Sequence, residues 1–248
     1  MMSPSSTVNS TFEVPTCSYE GIEDGYGTLI NVLSAKKNQG LTIPFYKSTV
    51  IEGNNFEFDC RPPATCRTAE ILFNPNKETK CTVIEGNNFE FDCRPPATCR
   101  TAEILFNPNK ETKWLERHMH LTQAFIGIGG KEPFMMVLGK PTHNRTDLTE
   151  EQKALPDLNN VKAFIIPPGC GLILKKGTWH DFPVSLGNPV TILTFNSAEV
   201  VEALAAMREP GEMLGQGDIY KIDLQKRLGV KIGYQFELTA GDQEQING

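Results

Sequence analysis

Thr49–Lys80 and Thr82–Lys113 are identical letter for letter, set at a period of 33 residues. A period of that length invites an ankyrin reading, but the unit has no T-P-L-H turn and no pair of helices. Each copy instead carries two adjacent prolines, Pro62-Pro63 and Pro95-Pro96, and strand-like stretches such as Phe56–Phe58 and Ala69–Phe73. Solenoids are also built from three or more diverged units that bury a continuous core. Two identical copies describe a recent tandem duplication. A fold that needs one copy must place the other as an extra hairpin, a swapped alternative or a loop. The second copy runs directly into Trp114-Leu-Glu-Arg-His. It is therefore expected to supply a strand of the domain, with the first copy surplus or competing for the same place.

Downstream the chain reads as short strands. Gln123–Ile128 and Pro133–Leu138 are apolar runs of strand length bounded by glycine-rich turns. Val161–Ile166 stops at Pro167-Pro168-Gly169, Gly171–Lys175 leads to Lys176-Gly177, and Val190–Phe195 is β-branched and aromatic. Asp218–Leu224 and Lys231–Leu238 are two further strand candidates. Two helices are expected, Thr149–Ala154 with Thr146 or Thr149 as N-cap, and Ser197–Met207 capped by Ser197. Many strands at this spacing with Gly/Pro turns make an all-β sandwich or barrel with a few short helices. The expected organisation is a tail over residues 1–12, one domain over 13–240 containing the duplication, and a second tail over 241–248.

A net charge of −6 and the lack of any basic cluster beyond Lys175-Lys176 exclude a nucleic-acid partner. No apolar run approaches the ~20 residues a membrane span requires. The N-terminal stretch has neither a charged nor an apolar segment of the signal-peptide kind, so a cytoplasmic location is expected. Cys60/Cys66 and Cys93/Cys99 form two C-x5-C pairs, which is not the spacing of a zinc knuckle. An odd total of 7 cysteines points to reduced thiols.

Three of the 4 histidines fall in two short segments, Trp114–Gln123 and Lys175–His180. On a strand Glu116, His118 and His120 share one face, because side chains alternate. Imidazole and carboxylate converging in a barrel suit either a divalent metal or a general acid–base pair. Each residue also has a plainer explanation. Glu116-Arg117 and Lys175-Lys176 could be solvated charges, Trp179 could be core, and His143, in a polar loop, is read as an ordinary polar residue.

The arrangement resembles the cupin superfamily and, within it, the ureidoglycolate lyases of purine (allantoin) breakdown. Glu116-x-His118-x4-Gln123-x6-Gly130 is similar to the first cupin motif, and Gly177-Thr-Trp-His180 to the second. The family likeness lies in Leu115–Ile126, Ala163–Gly171 continuing through Gly177–His180, and the strand Ile192–Phe195, with Tyr26-Gly27 upstream. The chain departs from the family pattern at Asp181, where a second histidine is frequent, and at Asn196, where an acidic residue is common. It also carries about fifty residues beyond the usual end.

The resemblance implies a cupin-type β-barrel (a double-stranded β-helix, or jelly roll) that eliminates urea from ureidoglycolate to give glyoxylate. It implies His118, His180 and Glu116 as catalytic groups and Gln123, Lys175 and Trp179 as substrate-binding ones. Lys175 would meet the carboxylate and Trp179 would wall the pocket. If a divalent metal is present, Glu116, His118, Gln123 and His180 would hold it; a metal-free acid–base site is the other reading. The partner is then a small molecule, in a protein expected to be a homodimer. A cupin acting on another small hydroxy or oxo acid, or one that binds a metabolite without turnover, are the alternatives.

Overall fold

The computed structural model describes residues 10–31, 40–41, 55–58, 64–72, 82–94, 96–128 and 131–236. The expected tail at 241–248 and Gly130 lie outside them. Among these residues strands dominate, and three short α-helices accompany them: Glu150–Lys153, Ala198–Ala205 and Leu224–Leu228.

Two large sheets share one core. The first runs in the order Met213–Gln216, Ile219–Asp223, Trp114–Arg117, Trp179–His180, Phe134–Gly139, Val161–Ile166 and Thr16–Cys17, with Val184–Ser185 also pairing with Phe134–Gly139. The second runs Gly27–Asn31, Cys170–Leu174, Ala124–Gly127, Val190–Ser197, Ala97–Ile104 and Asn55–Phe58. Phe134, Met136, Leu138 and Phe164 of the first sheet meet Phe125, Leu172, Leu174 and Ile192 of the second. This is the cupin-type all-β barrel that the sequence predicts.

Phe134–Gly139 is buried at every position, so the half-polar alternation of a solvent-facing strand is absent. The cause is a third layer. Met135 and Val137, on the outer face, pack with Leu115, Trp179, Ile222, Ile232 and Tyr234. A small sheet of Ser10–Val14, Val230–Tyr234 and Glu111–Thr112 contributes to this cover. The strand at Ser10–Val14 begins inside the segment read as a tail. Its parallel pairing to Val230–Tyr234 orders residues whose own composition gave no strand signal. On the second sheet, Ala124, Ile126 and Ile173 are covered by Val200 of helix Ala198–Ala205 and by Met213 and Ile219.

Helix boundaries follow their caps. Thr149 and Gln152 form a reciprocal capping box, and the Ser197 hydroxyl accepts the Val200 amide. The strand expected to reach Leu224 ends at Asp223 instead. The Asp223 side chain caps helix Leu224–Leu228, which closes on Gly229 at φ 73°.

The second copy of the repeat does supply the barrel strand: Ala97–Ile104 pairs along its whole length with Val190–Ser197. From the first copy, Asn55–Phe58 adds an outer strand to Ala97–Arg100, and Ala64–Leu72 pairs with Thr82–Phe91 in a separate small sheet. Deleting residues 49–81 removes one copy and its ordering cost, with the outer strand Asn55–Phe58 and the strand Ala64–Leu72, while leaving the other strands of the two large sheets. The shortened protein should unfold cooperatively, with a midpoint equal to or above that of the full chain by circular dichroism. A broad, non-cooperative melt would show that both copies are structural.

Candidate active site: a histidine–carboxylate centre inside the barrel

Register builds the centre. Trp114–Arg117 pairs antiparallel with Trp179–His180, and Glu116 stands directly opposite His180. Glu116 faces the interior while Leu115 and Arg117 face the outer layer, as strand alternation requires. The strand ends at Arg117, so His118 is placed by the turn that follows. Its carbonyl accepts the Gly177 amide at 2.6 Å, which ties the first motif to the second. Gly177 has φ +78°, and a Cβ there would stand 2.2 Å from the His143 ring, so this position requires glycine.

Glu116, His118 and His180 each present one ligand atom, all within 4.8 Å of one another. Glu116 Oε1 lies 3.7 Å from the Nε2 of both histidines, whose side chains are 2% exposed. The two rings are 5.3 Å apart. The tautomers follow from the other ring nitrogens. His118 Nδ1 lies 2.8 Å from the Asp218 carbonyl and His180 Nδ1 2.9 Å from the Thr178 carbonyl. A carbonyl only accepts, so each Nδ1 carries the proton, and in the neutral imidazole each Nε2 lone pair is free to face the centre.

The charges are pushed apart. Burial raises the Glu116 carboxyl, but His118, His180 and Lys221 outweigh it and hold the group at about 2. Burial alone would lower His118; the adjacent Glu116 carboxylate and Asp218 overcome it and raise the imidazole above its ordinary value. His180 is depressed to about 4, chiefly by burial, with the positive charge of His118 adding to it and Glu116 opposing. The neighbouring Asp181 carboxyl is raised to about 6 by burial.

The other expected site residues divide. Gln123 is buried, and its Nε2 donates to Asn196 Oδ1 at 2.8 Å, which leaves Oε1 without a partner. Asn196 in turn donates to Thr194. Trp179 is fully buried, but on the outer face, where its Nε1 donates to Thr142 and the Arg117 guanidinium stacks on its ring. Lys175 is exposed on its turn. His120, expected to share the face of His118, is exposed because the strand has already ended. His143 stays outside the centre, packed against Gly177.

Sequence reasoning missed Asp218. Its carboxylate accepts the amides of Met119 and His120, and its carbonyl meets His118. It sits at φ 60°, after Gly217 at φ 57°, where an added Cβ would come 2.4 Å from the Glu199 carbonyl. The Gly215-x-Gly217-Asp218 string was the available signal, a turn that asks for left-handed residues.

The fold and this centre define a cupin-type barrel that carries a Glu-His-His group with both histidines buried. The chain belongs to the ureidoglycolate lyase family, whose pattern it matches over residues 25–209. That span contains Glu116, His118, Gln123 and His180 but not Asp218. No curated protein matches the chain. Among the described residues no helix is long and apolar enough to cross a membrane.

Two measurements check this geometry. In histidine-labelled, metal-free protein, His180 should remain neutral down to about pH 4 while His118 stays protonated above the ordinary histidine range. Two titrations near the ordinary value would mean an open, hydrated site. Asp218→Gly keeps the left-handed backbone but removes the carboxylate. It should speed hydrogen exchange at the Met119 and His120 amides by the loss of about 2 kcal/mol of charge-assisted hydrogen bonding. Unchanged protection would show that the turn holds itself.

Proposed function

We propose that the protein is a carbon–nitrogen lyase that releases urea from ureidoglycolate and leaves glyoxylate. The observation that carries this reading is the buried Glu116–His118–His180 centre, built from the same two strings that carry the family likeness.

The reaction breaks the bond from the central carbon to the ureido nitrogen as the hydroxyl on that carbon becomes a carbonyl. One proton must leave the hydroxyl and one must reach the departing nitrogen. The divergent histidines suit that division. His180, held neutral, accepts the hydroxyl proton at Nε2. His118, held protonated beside Glu116, donates from Nε2 to the urea nitrogen. Two titratable groups whose surroundings push them apart are the usual basis of an acid–base pair. Gln123 Oε1, buried and unpartnered, accepts from a ureido N–H, and Asn196 keeps the amide turned that way.

The donor set also fits a divalent cation, because two buried Nε2 atoms without partners and one carboxylate converge on a single point. Glu116, His118 and His180 would hold it, and once bound it would act as a Lewis acid on substrate oxygens. The proton roles above are those of the side chains on their own.

Glyoxylate release from racemic ureidoglycolate, followed through a coupled dehydrogenase, tests the reading. Wild-type protein should produce glyoxylate, and His118→Ala and His180→Ala should each lower the rate by at least 100-fold while remaining folded. Loss of activity on prior chelation, restored by a divalent ion, would assign the centre to a metal; insensitivity would assign it to the histidines alone. No release from folded wild-type protein would refute the reading and turn attention to another small hydroxy or oxo acid.

A further inference from the structure

The substrate class set out above carries a carboxylate, and a buried site that takes an anion beside Glu116 needs a cation within reach. Lys175, the candidate just before the second motif, is exposed on its turn, and its charge is felt at Asp24. Lys176 is paired with Asp92, Lys113 with Asp223 and Lys231 with Glu111. Arg117 faces the outer layer and stacks on Trp179 and Tyr220.

Lys221 is placed differently. The strand Ile219–Asp223 pairs antiparallel with Trp114–Arg117, and Lys221 stands directly opposite Glu116. Opposed residues of an antiparallel pair project to the same face, a Cα separation of roughly 5 Å apart. Its strand neighbours Tyr220 and Ile222 pack in the outer layer with Trp179 and Leu115, which confirms that Lys221 takes the inner side. Glu116 is thus flanked across the sheet by His180 on one side and Lys221 on the other. Lys221 is half-buried, its ammonium lies 5.3 Å from the Trp114 ring, and among the described residues it makes no ion pair within 4.0 Å. Its charge reaches Glu116, His180 and Asp181.

We propose that Lys221, carried by a strand beyond the family-matched residues, is the cation that binds the substrate carboxylate beside the Glu116–His118–His180 centre. Lys221 is then a specificity-determining residue: it selects small carboxylates and turns the reacting carbon toward the histidines, while taking no part in proton transfer. The inference rests on the proposed site, but its test does not require turnover.

The probe is glyoxylate, titrated calorimetrically into the full-length protein, with urea as a neutral control. Wild-type protein should bind glyoxylate, and Lys221→Met should weaken it by roughly 10- to 100-fold with urea binding unchanged. Lys221→Arg should recover part of the affinity, and Lys175→Met should bind as wild type. Where turnover is measurable, Lys221→Met should raise KM with little change in kcat, the pattern of a group that holds ground state and transition state alike. Lys221→Gln, closer in shape, serves if the methionine variant is poorly folded. Wild-type glyoxylate affinity in a folded Lys221 variant overturns the proposal, and so does the loss appearing in Lys175→Met instead. Absent turnover of ureidoglycolate with intact, Lys221-dependent glyoxylate binding would overturn the lyase reading alone.

Discussion

Everything at this centre depends on one register, in which Glu116 is opposed to His180 on one side and to Lys221 on the other. A strand has a side-chain period of two, so a slip of one residue would turn Glu116 outward and bring Arg117 into the barrel. The register is fixed from outside the site. Leu115 and Ile222 are fully buried in the outer layer, and Arg117 is sandwiched between Trp179 and Tyr220, with Nη1 donating to Thr142 and to the Lys153 carbonyl. Trp179 and Arg117 therefore serve the site without touching it. They make the alternative register cost a buried guanidinium and an unfilled indole pocket.

The same register concentrates charge where water is scarce. An isolated buried carboxylate or imidazolium would neutralise rather than remain charged. Here Glu116 stays ionised because the imidazole of His118 stands beside it, and His118 stays protonated because Glu116 and the Asp218 carbonyl face it. His180, the third member, is driven neutral chiefly by burial, which with the charges of His118 and Lys221 outweighs the attraction of Glu116. Each ring has a carbonyl at Nδ1, so the asymmetry between two chemically identical side chains comes from the charges around them: Glu116 and Asp218 favour the cation at His118, whereas His118 and Lys221 oppose it at His180.

The sequence was legible where structure is local. Val161–Ile166 has the predicted boundaries, Ser197 caps its helix, and the spacing of Glu116, His118 and His180 led to the three residues that do converge. It was opaque where partners are distant. Asp218 lies 100 residues from His118, and nothing in a lone Gly-Asp turn says which loop it will hold. Lys221 reads as one of two polar positions in IYKID, and only pairing to Trp114–Arg117 gives it a face. Trp179 was misplaced for a related reason: adjacency to His180 in a two-residue strand guarantees that the two side chains point apart. His120 would share the face of His118 only on a longer strand, and the Asp218 carboxylate captures the amides of Met119 and His120 just where that strand has ended.

The duplicated segment poses a sharper question, because two identical strands are candidates for one slot beside Val190–Ser197. Their side chains are the same, so packing inside the barrel cannot choose between them. Connectivity can. From Ile104 the chain needs only about ten residues to reach Trp114, whereas from Ile71 it needs roughly four times as many, and that longer closure costs on the order of 1 kcal/mol. By itself this favours the second copy by only about tenfold. The loser's fate adds to the preference: with Ala97–Ile104 in the barrel, Ala64–Leu72 can still pair with Thr82–Phe91, and Asn55–Phe58 covers part of the exposed edge. Were the first copy in the slot, the second would have to loop out between the barrel and Trp114, next to the strand that sets the register of Glu116. The occupancy of the slot is thus decided by the site strand's need for a short tether, and the copy nearer to the chemistry is the one whose strand pairs with Val190–Ser197.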